Sequence, residues 1–353
     1  MIRELRGNLL ADDADAVVNT VNTVGVMGKG IALQFKRAFP EMFRDYERAA
    51  QAGELKIGQM HVWETGSLTG PRVIINFPTK RHWRARSRIS DIDAGLVDLV
   101  RVVQDLGIHS IALPPLGCGN GGLDWADVAP RIFAAFDPVL DSIEVRLYVP
   151  AGAPPARDMV NRSAPPALTP MRAALLSLML AYREIAWEWP GLIETQKLAY
   201  FLQEAGEPLR LEFSKGHYGP YADGLRKTLR DMEGHYITGF GDGAASPFDA
   251  ERLEVTAPVE ESLQRAVDQA PDTAARTAHV MDVVSGFEST YDLELLASVH
   301  WAVTREDART PEQASRVIRE WTRRKAGLFD EPHVASAWDV LQRKGWLREE
   351  SMV

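Results

Sequence analysis

The stretch Val18-Asn19-Thr20-Val21-Asn22-Thr23-Val24-Gly25-Val26-Met27-Gly28-Lys29-Gly30-Ile31 runs from a β-branched segment into an amphipathic one, and we call it the first glycine loop. The second glycine loop is Pro114-Pro115-Leu116-Gly117-Cys118-Gly119-Asn120-Gly121-Gly122. Each loop is predicted to end a strand and to open a helix. Glycine lets backbone N–H groups point inward, and helix N-termini supply positive potential. The two loops therefore predict a domain that holds a nucleotide diphosphate from both sides.

Other glycine-rich motifs fit the first loop poorly. A P-loop needs Ser or Thr after its lysine to reach magnesium, but Lys29 is followed by Gly30. A dinucleotide-binding fingerprint needs Gly-x-Gly-x-x-Gly, whereas the spacing here is Gly25-x-x-Gly28-x-Gly30. The remaining alternative is that the glycines only make tight turns, and two such loops at strand-to-helix junctions count against it.

The first part of the chain alternates predicted strands and helices. Buried or half-buried strands are predicted over 16–20, 72–77, 108–113 and 143–149, and apolar residues repeat at helical spacing over 31–39, 91–106 and 125–136. Ser90 is the expected N-cap of the second of these helices. The pattern predicts a three-layer α/β sandwich whose ligand loops lie at the carboxyl ends of the strands.

Composition favours two domains and no metal or membrane. The chain has 353 residues, of which 45% are hydrophobic and 25% charged, and this length exceeds one typical domain. Its one cysteine, Cys118, excludes a disulfide framework and suits a reducing cytoplasm. The eight histidines are scattered, so no metal site is predicted. We also expect no signal peptide and no transmembrane segment.

A proline-rich segment separates the two predicted domains. Residues 1–153 form the first domain, 154–168 form a linker, and Thr169-Pro170 is expected to cap the first helix of a mostly helical domain over 169–353. A capping box is predicted at Thr310-Pro311-Glu312-Gln313. The helices from there to Leu347 are compatible with a winged-helix unit.

Charge is unevenly divided between the two halves. Residues 1–155 hold 17 basic and 18 acidic residues, whereas the rest of the chain holds 23 basic and 31 acidic residues. A net acidic domain repels phosphate, which argues against DNA binding by the second half. The acidity of the second half is compatible with a surface that binds a basic protein, for example by imitating nucleic acid. It is equally compatible with a surface that keeps the protein in solution.

The two loops resemble those of macrodomains, the fold that binds ADP-ribose. The resemblance is carried by Asn19-Thr20-Val21-Asn22, by Gly25 to Ala32 and by Leu113 to Gly119, and it covers about the first 150 residues. It is closest to the DarG family of macrodomain antitoxins, and more distant to the eukaryotic terminal ADP-ribose glycohydrolase. The resemblance implies a three-layer αβα macrodomain with a mixed sheet and no cofactor.

The resemblance also implies where ADP-ribose binds. Macrodomains usually place an aspartate after the first strand to accept a hydrogen bond from adenine, and Asn8 stands at that position here. Asn22 is expected to hold the hydroxyls of the distal ribose. The full set of expected ligand contacts is Asn8, Leu9, Asn22, Thr23, Gly28, Lys29, Gly30, Ile31, Pro115, Leu116, Gly117, Cys118, Gly119, Asn120 and Gly121.

Lys80 is the expected catalytic residue, because the resemblance implies a lysine beside the distal ribose. In the eukaryotic relative this lysine works with an aspartate, but Gly121 stands at the aspartate's position here. Lys80 is then expected to act alone or with Asn22, by stabilising a leaving group or by attacking as a neutral amine. The alternative is that Lys80 only attracts phosphate. The expected nucleic-acid rim consists of Arg81, His82, Trp83 and Arg84.

These features together predict an antitoxin. It is expected to remove ADP-ribose from thymine bases of single-stranded DNA by hydrolysing the N-glycosidic bond. Its acidic C-terminal domain is expected to bind and block the cognate DNA ADP-ribosyltransferase. The alternatives are a non-catalytic ADP-ribose reader, a hydrolase directed at modified protein, and an interaction protein whose macrodomain is vestigial.

Overall fold

The computed structural model describes residues 1–67, 69–259, 263 and 270–347, and the chain divides into two compact units. The N-terminal unit comprises Met1–Ala164 with Asp242–Ala244, and the C-terminal unit comprises Pro165–Gly241 with Ala245–Val353. The division falls inside the predicted linker over 154–168. The first part of that segment packs into the N-terminal unit, since it forms a short 3₁₀ turn in which Ala156 is buried.

The N-terminal unit is built on a six-stranded mixed sheet. Its strands are β1 (Ile2–Leu5), β2 (Ala16–Asn22), β3 (His61–Glu64), β4 (Val73–Lys80), β5 (Ser110–Leu113) and β6 (Glu144–Tyr148). They lie in the order β1-β6-β5-β2-β4-β3, with β3 antiparallel to β4 and every other pair parallel. The central strands β2 and β4 are buried on both faces, which explains their nearly continuous apolar sequence.

Helices cover both faces of this sheet. They are α1 (Gly30–Ala38), α2 (Pro40–Gln51), α3 (Ile89–Asp105) and α4 (Trp125–Phe136). Alternate residues of each strand point to opposite faces. Val17 therefore packs in one apolar cluster with Phe35 and Met42, and Val18 packs in another with Leu99 and Ile132. The predicted three-layer αβα architecture with a mixed sheet is confirmed.

The sequence pattern was wrong at several element boundaries. It omitted β1, β3 and α2, and Ser90 is not the N-cap of α3, because this helix already begins at Ile89 and Arg88 occupies the cap position. The N–H of Asp91 donates to the carbonyl of Arg88. The Asp91 carboxylate is in turn held by Arg81, which fixes Asp91 in the first turn and leaves Ser90 within the helix.

The C-terminal unit is mostly helical, as predicted. The helices found among the described residues of this unit are α5 (Pro170–Ala186), α6 (Leu192–Glu204), α7 (Asp223–Met232), α8 (Pro271–Val284), α9 (Thr290–Glu306), α10 (Pro311–Trp321), α11 (Arg323–Leu328) and α12 (Glu331–Arg343). Two short antiparallel pairs accompany them, β7 (Ser214–Gly216) with β8 (Gly219–Tyr221) and β9 (Ile237–Thr238) with β10 (Glu254–Val255).

Side-chain caps begin at least four of these helices, two of them at predicted positions. Thr169 accepts a hydrogen bond from the N–H of Arg172 at the start of α5, as expected. Thr310 likewise accepts from the N–H of Gln313 at the start of α10. The Gln313 side chain accepts from the N–H of Arg309, one residue before the position that a capping box predicts. Between 310 and 347 the described residues form three helices and no strand, so this segment lacks the wing of a winged-helix unit.

Neither a metal cluster nor a membrane span is found in the part of the chain that the structure describes. No group of His, Cys, Asp and Glu side chains there has the arrangement of a metal site. No helix among the same residues is long and apolar enough to cross a bilayer.

Candidate active site

Three neighbouring strands deliver the predicted site residues to one edge of the sheet. β2 leads into the first glycine loop and α1, and β5 leads into the second glycine loop and α4. Lys80 is the last residue of β4, on the other side of β2. Because the carboxyl ends of parallel strands meet at the same edge, both loops and Lys80 come together there.

Lys80 and Asn22 are partners in the pairing of β2 with β4. A bulge between Val21 and Asn22 shifts the register so that Asn22 lies opposite Lys80. The N–H of Thr23 then donates to the carbonyl of Lys80 at 3.2 Å, and the Thr23 hydroxyl donates to the carbonyl of Arg81 at 2.8 Å. The sheet itself therefore places the two predicted catalytic residues next to each other.

The Lys80 side chain reaches the second glycine loop. Its Nζ donates to the carbonyl of Asn120 at 3.0 Å. A Cβ at Gly30 would lie 2.9 Å from Nδ2 of Asn120, so the two loops touch at this point. Burial lowers the pKa of the Lys80 ammonium from its ordinary value. The arrangement holds a partly desolvated amine between the two loops.

Asn22 holds the first glycine loop in shape. Its Oδ1 accepts from the N–H groups of Val24 at 3.1 Å and Val26 at 3.2 Å, and its Nδ2 donates to the carbonyl of Val26 at 2.6 Å. The Tyr46 hydroxyl donates to the Asn22 carbonyl. The loop therefore uses most of the hydrogen-bonding capacity of the Asn22 side chain. These contacts leave one N–H of its amide for a further acceptor.

The remainder of the first loop leads into α1. Lys29 is exposed and occupies the N-cap position of α1 without a side-chain capping bond. Gly30 follows with a φ of +65°, a conformation that favours glycine. Within the N-terminal unit its N–H donates to the carbonyl of Asp242 at 3.0 Å. A phosphate bound to this N–H would take the place of that carbonyl.

The glycines of the second loop differ in the space around them. A Cβ at Gly121 would lie 2.3 Å from the Gly117 carbonyl oxygen and 2.3 Å from Oγ of Ser87, so no side chain fits there. A Cβ at Gly119 would meet nothing within 4 Å. Gly117 has a φ of +72°. The aspartate of the eukaryotic relative is therefore sterically excluded at Gly121, whereas Gly119 borders open space.

Cys118 lies between these glycines with its thiol partly buried. Its Sγ donates to the carbonyl of Leu116 at 3.5 Å. Burial, together with the nearby Asp124 carboxylate, raises the pKa of the Cys118 thiol to about 11. Since the thiolate is the nucleophilic form, Cys118 is a poor nucleophile at neutral pH. Pro115 and Leu116 precede it, and Leu116 is fully buried.

Asn8 occupies the start of the short 3₁₀ helix Leu9–Ala11. Its Oδ1 accepts from the N–H of Leu10 at 3.0 Å, and its Nδ2 donates to the carbonyl of Asp158 at 3.1 Å. These bonds fix the orientation of the amide. Oδ1 has a second lone pair for a further donor.

The predicted nucleic-acid rim presents stacked rings at the surface. His82 stacks on Trp83 with 5.4 Å between ring centroids, and the Arg84 guanidinium lies 4.4 Å from the Trp83 ring centroid. Trp83 is 45% exposed. Arg81 makes a bidentate ion pair with Asp91, at 2.8 and 3.2 Å, which partly neutralises its charge. The rim therefore offers a stacking surface and one cation beside it.

Comparison with known proteins places this site in a family. The Macro domain family model matches residues 18–132. The DNA ADP-ribosyl glycohydrolase of Thermus aquaticus is 48% identical over 352 residues, covering 99% of this chain and 95% of that protein. The chain belongs to the DNA ADP-ribosyl glycohydrolase family. The Mycobacterium tuberculosis member of this family is 45% identical, covering 96% of this chain and 98% of that protein.

Two of the solved structures that resemble this chain each cover less than half of it. The macrodomain of Mycobacterium tuberculosis DarG is 58% identical, covering 43% of this chain and 99% of that one, with a TM-score of 0.42. Thermosipho africanus DarTG in complex with ADP-ribose is 33% identical, covering 42% of this chain and 41% of that one, with a TM-score of 0.40.

Sequence reasoning missed a buried chain of polar side chains that supports the glycohydrolase site. The Asn19 amide donates to Oδ1 of Asn76 at 2.8 Å, and the Asn76 amide contacts Nδ1 of His61 at 3.1 Å. Nε2 of His61 lies 3.1 Å from the Asp45 carboxylate. The Tyr46 ring, whose hydroxyl supports the first loop, packs edge-on against His61. The sequence feature that could have revealed these polar contacts is one asparagine in the middle of each of two buried apolar strands.

Proposed function

We propose that the protein hydrolyses the N-glycosidic bond between ADP-ribose and a thymine ring nitrogen in single-stranded DNA. The diphosphate would lie between Gly28–Gly30 and Gly117–Asn120, and the adenine near Asn8 and Leu9. The observation that carries the proposal is the Lys80 ammonium, held 3.0 Å from the Asn120 carbonyl where the two glycine loops touch. The names of the relatives support DNA as the carrier of the ADP-ribose.

The chemistry needs a single cationic group at the leaving nitrogen. When the bond from the anomeric carbon to the thymine nitrogen breaks, the electron pair goes to an imide anion, which the Lys80 ammonium would stabilise. Water then adds to the anomeric carbon, and its proton returns to the imide. Such a reaction does not need the carboxylate that Gly121 excludes. In the second route the neutral Lys80 amine attacks the anomeric carbon and displaces the thymine imide, which takes up the proton that the amine releases. Water then breaks the bond between Lys80 and the anomeric carbon, which frees ADP-ribose.

Substitution of Lys80 tests this proposal on full-length protein. We expect Lys80→Ala to abolish the release of ADP-ribose from modified single-stranded DNA while affinity for ADP-ribose, measured by calorimetry, changes little. Lys56→Ala, at an exposed lysine of the same unit, is the matched control. Equal losses of affinity and turnover would show that Lys80 is only a phosphate anchor. A borohydride-trapped adduct at Lys80 would select the nucleophilic route.

Modified protein serves as the second substrate in the same assay. Release of ADP-ribose from protein but not from DNA would contradict the proposed substrate. The stacked His82 and Trp83 beside the site favour DNA, because exposed aromatic rings stack on unpaired bases. Binding of ADP-ribose without any release would identify a reader.

We further propose that the C-terminal unit binds the cognate DNA ADP-ribosyltransferase in the cytoplasm. Its excess of acidic residues suits a basic nucleic-acid groove on that enzyme. A relative from Thermosipho africanus is a DNA ADP-ribosyl transferase–DNA ADP-ribosyl glycohydrolase fusion protein, 33% identical over 161 residues. That fusion supports a functional link between the two activities.

The full-length Lys80→Ala protein separates binding from hydrolysis. We expect it to inhibit DNA modification by the transferase and to co-purify with it at low ionic strength, with the complex weakening as salt is added. If this variant neither binds nor inhibits the transferase, protection is purely enzymatic and the proposal for the C-terminal unit is wrong.

A further inference from the structure

Trp187 ends helix α5 in a backbone conformation that is costly for its residue type. Its φ is +57° and its ψ is +16°, in the left-handed region, and its N–H donates to the carbonyl of Arg183 at 3.0 Å. Glycine is the usual residue in this conformation at the end of a helix, because a Cβ is strained there. A bulky aromatic side chain in this region is an outlier. The chain therefore holds a tryptophan where glycine would be less strained.

The other described residues with a positive φ, glycines aside, are polar. They are Arg210 and Asp307, each with a φ of +55°. Asp307 follows helix α9 as Trp187 follows α5, and aspartate is one of the residue types enriched in this conformation. Its carboxylate is exposed to water. Backbone preference explains Asp307 at such a position but does not explain Trp187.

The Trp187 side chain is also turned toward solvent. Trp187 is 91% exposed, whereas Trp189, two positions later, packs partly buried against the core of the unit. A single exposed apolar residue is ordinary on a protein surface, but exposure combined with backbone strain at the same residue is not. Backbone strain is concentrated at functional positions, and tryptophan is enriched among the residues that dominate the energy of protein interfaces.

Two carboxylates flank Trp187 along the chain, and both have ion-pair partners. Glu184, one turn earlier, lies 3.1 Å from Arg183, and Glu188, the next residue, lies 3.2 Å from Arg252. The Glu184 and Glu188 side chains are 71% and 52% exposed, so water screens both pairs and they are weak. Both carboxylates can therefore exchange these partners for a cation on another molecule.

The surface around Trp187 is acidic after these pairs are counted. Arg252 is shared, since it also pairs with the buried Glu194 at 2.8 Å. The segment 251–254 lies beside 183–194, because the N–H of Leu253 donates to the carbonyl of Pro190 at 2.8 Å. We call these two segments the Trp187 surface. They contain five acidic and two basic residues, namely Glu184, Glu188, Glu194, Glu251 and Glu254 against Arg183 and Arg252. The end of α5 adds the negative pole of its helix dipole.

We propose that Trp187 anchors the C-terminal unit on a cationic side chain of the cognate DNA ADP-ribosyltransferase. An arginine or lysine of the partner would lie over the exposed indole, as the Arg183 guanidinium lies 4.5 Å from the Trp189 ring centroid, and the carboxylates would face further basic groups. Nucleic acid could stack on the indole, but an acidic surface repels its phosphates. A second copy of the chain is disfavoured by the same charge. This inference rests on the proposed binding of the transferase and adds its location.

Substitution of Trp187 by glycine separates binding from folding. We expect Trp187→Gly in the full-length protein to weaken transferase binding on the order of thirtyfold in calorimetry, as at an interface hot spot. Its melting temperature should not fall, because glycine adopts the left-handed conformation without strain. Phe248→Ala, which removes another exposed aromatic side chain of the same unit, is the matched control and should leave the affinity unchanged.

Further variants test the chemistry of the contact. Trp187→Phe keeps a π face and should bind the transferase more tightly than Trp187→Leu, which is apolar but has no such face. Glu184→Lys reverses a neighbouring charge and should weaken binding about tenfold. Equal affinities of the Phe and Leu variants, or an unchanged affinity of Glu184→Lys, would overturn the proposed cationic partner.

The outcomes distinguish this inference from the proposal on which it rests. If the parent protein binds the transferase and Trp187→Gly binds it as tightly, or if Phe248→Ala weakens binding equally, this inference is wrong while the proposed binding stands. If the parent protein does not bind the transferase, both are wrong. Binding of single-stranded DNA or formation of a dimer that is lost in Trp187→Gly would assign Trp187 to a different ligand and overturn the inference.

Discussion

The first glycine loop is held mainly by side chains, whereas the second is held mainly by its own backbone. In the first, the Asn22 amide and the Tyr46 hydroxyl bind the loop. In the second, the N–H groups of Cys118 and Gly122 donate to carbonyls three residues earlier, and Gly121 packs directly on Gly117. A loop of the first kind is weakened by removing a polar group, and one of the second kind by adding a carbon atom.

The strongest test of the second loop is Gly119→Glu. Its side chain would enter the open space where we place the diphosphate, so affinity for ADP-ribose should fall by about 4 kcal/mol, on the order of a thousandfold, through repulsion between like charges. Stability should stay near that of the parent, because a Cβ at Gly119 meets nothing within 4 Å. Calorimetry with ADP-ribose measures the first quantity, and Gly119→Ala is the control. Unchanged affinity would show that the second loop only makes a turn and does not contact the diphosphate.

Gly121→Ala should act on stability instead. The added methyl would lie 2.3 Å from the Gly117 carbonyl oxygen, so the loop must shift, at a cost of about 3 kcal/mol. Chemical denaturation compared with Gly119→Ala isolates the effect, since both variants add the same atom to the same loop. Equal stability of the two variants would contradict the backbone-held description.

Asn22→Ala tests the first loop in the opposite way. It removes the acceptor of two backbone N–H groups and the donor to the Val26 carbonyl, and unfolding should become easier by about 2 kcal/mol. Asn22→Asp keeps the acceptor and loses the donor, so its stability should lie between that of Asn22→Ala and that of the parent protein. Denaturation curves for the three proteins give the order, and a stability of Asn22→Ala equal to the parent would show that the loop needs no brace.

Tyr46→Phe removes one buried hydrogen bond and keeps the ring. Loss of the bond to the Asn22 carbonyl should cost about 1 kcal/mol. Burial raises the pKa of the Tyr46 hydroxyl, so it remains a donor throughout the range in which the enzyme is assayed. A loss larger than that of Asn22→Ala would make the tyrosine, and not the asparagine, the main brace.

Cys118→Ser should have almost no effect on turnover. With the pKa of the thiol raised to about 11, Cys118 stays protonated below that pH and contributes no nucleophile. Alkylation by iodoacetamide at pH 8 should accordingly be on the order of a hundredfold slower than that of an ordinary cysteine. Rapid alkylation, or a large loss of turnover, would assign the second loop a chemical role.

Much of the N-terminal unit was predictable because β-branched runs and glycine loops are strong local signals. β1 and β3, of four residues each, carry weak patterns, and each lies at an edge of the sheet. The place of β1 depends on its pairing with β6, which lies far along the chain, and the place of β3 depends on its pairing with β4. The convergence of Lys80, Asn120 and Gly30 depends on strand order, which periodicity does not encode. The role of Asn22 as a brace was equally hidden, because residue type does not reveal where an amide points.

The buried chain of amides ends in a natural spectroscopic probe. Nδ1 of His61 lies 3.1 Å from the Asn76 amide nitrogen, Nε2 lies 3.1 Å from the Asp45 carboxylate, and burial lowers the pKa of the imidazole. A neutral ring with its proton on Nε2 satisfies both contacts. The His61 side chain is 13% exposed, and the NMR resonances of its imidazole can be followed as the ring titrates. Because the Tyr46 ring packs against His61, these resonances report how tightly the first loop is held, without any label in the ligand site.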